Sequence, residues 1–235
     1  MPTGSPASST PLSPSAVRHW PSLTLFLGVL VLVLAADLLS KSLAFRYVAG
    51  EPIILTPENV ADLETIPPHE EITLIPHVVA LKLTVNLGAV FGLGQGQRGS
   101  FILISVVAVV VIGYIFVRSR AGDWPNHLAW GLILAGALGN LYDRVIFGGV
   151  RDLLWLFPHI DLPFGWRWPS GLAELLPWTS NTGPTGLYPW IFNIADVALL
   201  AGVSIVILVS WGRETRRTRA EKVSDNHEGT KGGKV

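Results

Sequence analysis

Leu23-Thr24-Leu25-Phe26-Leu27-Gly28-Val29-Leu30-Val31-Leu32-Val33-Leu34-Ala35-Ala36 contains no charge, and the helical pattern continues through Asp37, Leu38, Leu39 and Lys41 to about Ala44. A hydrocarbon core of about 30 Å takes roughly 20 helical residues at about 1.5 Å each. The run is therefore long enough to cross a bilayer. A cleaved signal peptide is the competing reading, and the continuation past Ala36 argues against it. Three more stretches qualify: Phe101–Val117, closed by Arg118 and Arg120; about His127–Phe147; and about Trp190–Trp211. In the third, Gly131, Ala135 and Gly139 recur every four residues, a small-residue row that lets a neighbouring helix approach closely.

Composition agrees. Of 235 residues, 49% are hydrophobic and 14% charged, against about 25% charged in a soluble domain, too little charge to coat a soluble globule. Seventeen Lys+Arg against 17 Asp+Glu leave no net charge, so no global field points to nucleic acid. With no Cys there is no disulfide, thiol nucleophile, zinc–thiolate site or iron–sulfur cluster. The fold class expected is an all-α polytopic membrane protein with four transmembrane helices.

Lys and Arg orient it. Residues 1–22, 118–126 and 212–235 carry ten of them, whereas the longer segments 46–100 and 148–189 carry five. Both termini are expected in the cytoplasm and the two long loops outside. Trp20, Trp124, Trp190 and Trp211 fall at expected helix ends, where amphipathic rings favour the interface. The chain then divides into a disordered Ser/Pro-rich tail (1–22), a membrane domain (23–211) and a basic tail (212–235), whose Arg213, Arg216, Arg217 and Arg219 are expected as a solvated topology signal, with contact to anionic lipid headgroups as the alternative. In the first outer loop Leu81, Leu83 and Val85 alternate with Lys82, Thr84 and Asn86, a strand signal, before Gly88, Gly92, Gly94 and Gly96.

Ionisable groups within spans are functional candidates by default. Asp37 and Lys41 lie at the outer end of the first span, Asn140, Asp143 and Arg144 at that of the third, and Asn193 and Asp196 at that of the fourth. Antiparallel threading brings them to one depth, leaving the inner halves apolar, which suits a site entered from outside. Asp37 and Lys41, four apart, pair on one helical face. Arg144 offers a planar fork to a carboxylate or carbonyl. Asp196 has no cation nearby in sequence, and Asn193 shares its face. Asp152 follows the third span among apolar neighbours. Two such carboxylates in contact cannot both ionise, so the pair shares one proton. The ionised member takes a proton from an attacking water while the other donates to a peptide carbonyl. Spacing alone leaves open whether Asp152 or Asp143 partners Asp196. The six His are scattered, and no metal-ligand motif, Gly-x-Ser-x-Gly elbow or phosphate loop is present, so neither metal nor cofactor is expected.

Five blocks in order carry a family resemblance: Asp37-x-x-x-Lys41; Asn86-Leu87-Gly88-Ala89-Val90-Phe91-Gly92; Gly136-Ala137-Leu138-Gly139-Asn140-Leu141-Tyr142-Asp143-Arg144; Gly149-Val150-Arg151-Asp152; and Phe192-Asn193-Ile194-Ala195-Asp196. From about Leu23 to Trp211 the chain resembles the lipoprotein signal peptidases (signal peptidase II). The resemblance implies four transmembrane helices, an extracytoplasmic β-cradle and a short amphipathic helix in a bacterial cytoplasmic membrane. It implies an aspartic endopeptidase that cuts diacylglyceryl-modified prolipoproteins before the lipidated Cys, with globomycin-type inhibitors as ligands. Block by block it makes Asp152 and Asp196 the catalytic dyad. Asn86, Asn140, Arg144 and Asn193 fall around the substrate, and Asp37, Lys41 and Asp143 in support.

Two departures stand out. Leu153 replaces the family's usual Phe, and 43 residues separate Asp152 from Asp196, more than the resemblance leads one to expect. The excess lies in the Trp-rich segment Phe157–Pro189, expected to act as an interfacial lid or anchor. The segment Val48–Ala80 is also long, with acidic residues from Glu51 to Glu71. Three other readings fit the residues less well. A presenilin-like protease lacks its Gly-x-Gly-Asp motif. A proton-coupled transporter using Asp37, Asp143 and Asp196 needs polar groups through both leaflets. A non-catalytic assembly factor would tolerate loss of Asp196.

Overall fold

The computed structural model describes residues 15–88, 97–169 and 185–231. Four long helices dominate: α1 (Trp20–Tyr47), α2 (Arg98–Arg118), α3 (Trp124–Ile146) and α4 (Ile194–Lys231). α1, α2 and α4 are each long and apolar enough to cross a membrane. Their exposed side chains are largely apolar, Leu32, Val110 and Leu200 among them. α3 packs against all three. It is less apolar because it holds the buried polar groups Asn126, His127, Asn140, Asp143 and Arg144. Pro21 and Pro125 stand in the first turns of α1 and α3, where an N–H has no helical partner to lose. Arg98 donates from Nε to the Arg144 carbonyl at 2.8 Å and from Nη2 to that of Val145 at 3.0 Å. A cation thus caps the negative end of α3.

The small-residue row works as its spacing predicts. Within the row, a Cβ at Gly131 would meet the Phe26 carbonyl of α1 at 3.0 Å; beside the row, one at Gly136 would overlap the Ala195 carbonyl of α4. At Gly139 a Cβ would overlap Asp37 Oδ2. The missing side chains are what let α1 and α4 close on α3.

A four-stranded antiparallel sheet sits at the Asp196 end: β1 (Ile72–Ile75), β2 (Val79–Asn86), β3 (Val150–Leu156) and β4 (Ile191–Phe192), in that spatial order. Asn86 pairs with Val150 and Thr84 with Asp152, with an irregularity between Leu81 and Thr84. The expected strand face is observed. Leu83 is buried with Ala44, Phe45, Leu55 and Leu153, and Leu81 and Val85 pack against the same cluster. Burying one such Leu contributes about 1.5–3 kcal/mol, so the sheet is docked onto the end of α1. At the opposite end, Phe26 stacks on Phe116 with centroids 4.0 Å apart.

Three boundaries differ from expectation. Of the expected N-terminal tail, residues 1–14 lie outside the described residues, but Ser15 bridges to Arg120 and Ala16 is buried, its N–H on the Ser119 carbonyl at 2.9 Å. The fourth helix starts at Ile194, because Ile191–Phe192 pairs with β3 instead. Trp190 accordingly packs edge-on against Trp168 and Tyr188 rather than standing at a helix end. At the other end α4 runs to Lys231, through the segment expected as a tail. The glycine turns from Gly92 to Gly96 and Trp178 lie outside the described residues. Among the described residues, the only helical elements besides the four helices are three short 3-10 turns, Ala16–Arg18, Leu63–Thr65 and Pro163–Gly165.

Candidate active site

Lys41, Asp37 and Asp143 have no exposed surface. Three unpaired charges there would cost several kcal/mol each, and the helices arrange them so that none is unpaired. Lys41 Nζ lies 2.8 Å from Asp37 Oδ2, 3.3 Å from Asp143 Oδ2 and 3.1 Å from Asn140 Oδ1. Arg151 completes the cluster from β3. Its Nη2 and Nε reach Asp143 Oδ1 at 2.8 and 3.1 Å, and its backbone N–H meets Oδ2 at 3.0 Å. The guanidinium lies over the Phe147 ring at 4.3 Å. The remaining oxygen of Asp37, Oδ1, accepts the Ala195 N–H at 2.9 Å, an otherwise unpartnered donor in the first turn of α4. The cluster thereby ties α1, α3, α4 and the sheet together.

Beside it stand two carboxylates of another kind. Asp152, on β3, is buried, and Asp196, two residues into α4, is partly accessible. Among the described residues no cation lies in ion-pair contact with either. Asn193, at the joint between β4 and α4, holds both. Its Nδ2 donates to Asp152 Oδ1 at 2.6 Å, and its backbone N–H to Asp196 Oδ2 at 3.3 Å. Its Oδ1 accepts the Asp196 N–H at 3.0 Å, which fixes the amide's orientation. Asn140 Nδ2 donates to Asp196 Oδ1 at 2.9 Å, and the Asn86 side chain hydrogen-bonds Asp152. Burial pushes the Asp152 carboxyl well above the usual carboxylate range, and the charge of nearby Asp196 adds to this. Such a pair holds a proton while its partner ionises.

Among the described residues, Arg144 makes no ion pair with a carboxylate. Its Nη2 donates to the Gly88 carbonyl at 2.7 Å and its guanidinium lies over Phe101 at 5.2 Å. It fastens the end of the β2 segment to α3, with Asp196 and Asp152 near enough to feel its charge.

All nine residues singled out in the sequence converge on this one end of the bundle. The two aspartates left open as partners of Asp196 have different contacts: Asp143 is engaged by Lys41 and Arg151, whereas Asp152 shares Asn193 with Asp196. Arg151 was missed, having been read as a loop charge. The signal was there: in a strand, neighbours point to opposite faces, so a buried Asp152 implies that Arg151 faces the other way, toward α3.

The family profile described as Signal peptidase (SPase) II matches residues 29–212, most of the chain. The chain belongs to the signal peptidase II family. It is therefore a member of a protease family with membrane-spanning helices. Among the lipoprotein signal peptidases it resembles, that of Rhodopirellula baltica is 32% identical over 212 residues, covering 89% of this chain and 80% of the relative. That of Halothermothrix orenii is 32% identical over 152 residues, covering 65% and 83%. A bacterial membrane enzyme solved by the in meso method superimposes with a TM-score of 0.55 at 22% identity, covering 88% of this chain and 96% of the other. That likeness concerns the fold alone. As a signal peptidase II, the chain has its charged cluster and its carboxylate pair inside the matched stretch, with α2 and α3 wholly within it, while α1 begins before it and α4 runs on past it.

Proposed function

We propose that this protein is an aspartic endopeptidase that removes signal peptides from diacylglyceryl-modified prolipoproteins, cutting just before the lipidated Cys. Family membership supports the coarser statement, removal of signal peptides from prolipoproteins. The aspartic mechanism rests on one observation: a single residue, Asn193, holds Asp152 and Asp196 together, with no cation among the described residues in ion-pair contact with either.

In this reading the pair enters the reaction with one proton. The ionised carboxylate accepts a proton from water as the water oxygen bonds to the scissile carbonyl carbon. The protonated carboxyl gives its proton to the carbonyl oxygen. Collapse of the tetrahedral adduct breaks the C–N bond: the amine leaves with the proton taken from water, and a hydroxyl on the carbon returns its proton to the other carboxylate, so the pair again holds one proton. Asn140 and Asn193 orient the pair, and Asn86 and Arg144 border the peptide. Asp37, Lys41, Asp143 and Arg151 hold the helices at the required spacing. No metal or cofactor takes part.

α3 is read as the fourth span, since it is 23 residues long and lies among the other three. Both termini are placed in the cytoplasm of a bacterium and the sheet outside its cytoplasmic membrane, by the Lys and Arg bias. Residues 23–211 form the peptidase domain, and membrane lipid and globomycin-type cyclic peptides are its further ligands.

A gel-shift cleavage assay in lipid, with a diacylglyceryl-modified prolipoprotein, tests the reading. Asp152→Asn and Asp196→Asn should each abolish cutting in folded protein, while Asp143→Asn retains some. Normal cutting by Asp152→Asn would remove it from the dyad.

A further inference from the structure

The turn Leu162-Pro163-Phe164-Gly165-Trp166-Arg167-Trp168 has no part in the chemistry above, yet among the described residues it carries the most exposed large apolar side chain, Phe164. Phe164 is 92% exposed and Trp166 67% exposed, with ring centroids 6.4 Å apart. A large ring left this bare marks a contact surface. The backbone is shaped to present it. Phe164 has φ 60° and Gly165 φ 70°, a left-handed pair that a Phe rarely adopts, and the Pro163–Gly165 turn projects the ring away from the fold.

The base of the turn is fastened. Leu187 donates to the Ile160 carbonyl at 2.6 Å and Leu162 to that of Thr185 at 2.7 Å. Trp168 Nε1 donates to the Gly186 carbonyl at 3.0 Å, and its ring packs edge-on against Trp190 at 5.1 Å. Trp190 lies four residues before α4 begins. The turn is thus tied to the level at which α4 starts, and the first outward-facing residues of α4, Val197 (48% exposed) and Leu200 (71%), are apolar. The partner that meets those residues is the bilayer, and the turn carries the residue types that favour its interface: two Trp, a Phe and an Arg among them.

We propose that Leu162–Trp168 is an anchoring finger that seats Phe164 and Trp166 in the interface of the bilayer leaflet nearest the carboxylate pair. It holds the end of the Trp-rich segment, and with it β4 and Asn193, at a fixed height above the hydrocarbon. This inference requires only that the helices span a membrane.

Because the chain has no Cys, single cysteines can be spin-labelled directly. Phe164→Cys and Trp166→Cys, in vesicles of phosphatidylethanolamine and phosphatidylglycerol, are compared with Leu200→Cys as a lipid-facing standard and Glu58→Cys as a water-facing one. Oxygen partitions into lipid and a neutral nickel chelate into water. The finger positions should show an oxygen-to-nickel collision ratio several-fold above that at Glu58 and approaching that at Leu200. A ratio like that at Glu58 would overturn the proposal. So would low accessibility to both reagents, which would place the ring against residues 170–184 or a second copy of the chain. The readout is independent of cleavage, so an inactive protein leaves it interpretable, and a failed anchor leaves the carboxylate assignment standing.

Discussion

Gly139 is where helix packing and the buried charges meet, so Gly139→Ala tests the structural argument with one methyl group. Its Cβ would overlap Asp37 Oδ2 and lie 3.4 Å from the Ala195 Cβ. The Asp37 carboxylate can yield only by leaving Lys41, 2.8 Å from Oδ2, or the Ala195 N–H, 2.9 Å from Oδ1. Overpacking alone costs about 1–3 kcal/mol; breaking a buried ion pair costs about 3–5 kcal/mol. The comparator is Gly131→Ala, in the same row, whose Cβ meets the Phe26 carbonyl at 3.0 Å and Val29 Cβ at 3.2 Å and touches no charge. Thermal unfolding in detergent should separate them. At roughly 2–4 °C per kcal/mol for a chain of this size, Gly139→Ala should lose about 6–20 °C and Gly131→Ala about 2–12 °C, with Gly139→Ala the lower of the two. In an Asp37→Ala background the obstructing carboxylate is gone, and Gly139→Ala should add little. Equal losses for the two glycines, or additive losses in the double variant, would refute the link between the helix contact and the ion cluster.

Other outcomes follow from the same geometry. The raised Asp152 carboxyl keeps its proton in the fold at pH values where the unfolded chain, near 3.9, has lost it. Its contribution to stability is therefore present below about pH 3.9 and lost as pH rises through the folded value. Asp152→Asn should remove that slope and melt higher than wild type at neutral pH, as read by melting temperature against pH; parallel profiles would contradict this. Arg151→Lys removes the two-nitrogen grip on Asp143 and should cost about 2–4 kcal/mol in chemical denaturation, since an ammonium cannot reproduce the fork; a variant as stable as wild type would refute it. His159 contacts Glu71, joining the long segments 48–80 and 157–189, and holds its carboxyl below the usual range. As this pair is solvent-exposed, His159→Ala should cost no more than about 1 kcal/mol. Hydrogen exchange should nevertheless speed up at residues 157–162 and 70–73. In wild type that protection should fade as pH falls through the Glu71 value, and an unchanged exchange pattern would dismiss the clasp.

Most of the helical frame was legible because long uncharged runs admit few alternatives. Leu23–Ala44, Phe101–Val117 and His127–Phe147 lie inside or within a residue of α1, α2 and α3. The fourth start was misplaced because Trp190-Ile191-Phe192 is as apolar as a helix turn, and only pairing with Leu154 and Trp155 makes it a strand. The polar residues were found because each is costly at membrane depth. Their division of labour was not, since it depends on Arg151 arriving from another element to claim Asp143. β1 was hidden for a related reason: all four of its residues are exposed, so no burial pattern marks it. The helix past Trp211 follows a charged sequence that resembles a tail in composition.

Asp37 and Ala195 are 158 residues apart in sequence, on the first and last of the four helices. During synthesis, a chain that has emerged only as far as β3 already contains Lys41, Asp37, Asp143 and Asp152. One carboxylate oxygen of Asp37 still lacks its donor, and Asp152 stands without Asn193 or Asp196. Arrival of α4 delivers the missing N–H, the bridging amide and the second carboxylate within four consecutive residues, Asn193 to Asp196. The closing step of assembly and the appearance of the carboxylate pair are then a single event, and a truncated or half-inserted chain carries no partly formed pair.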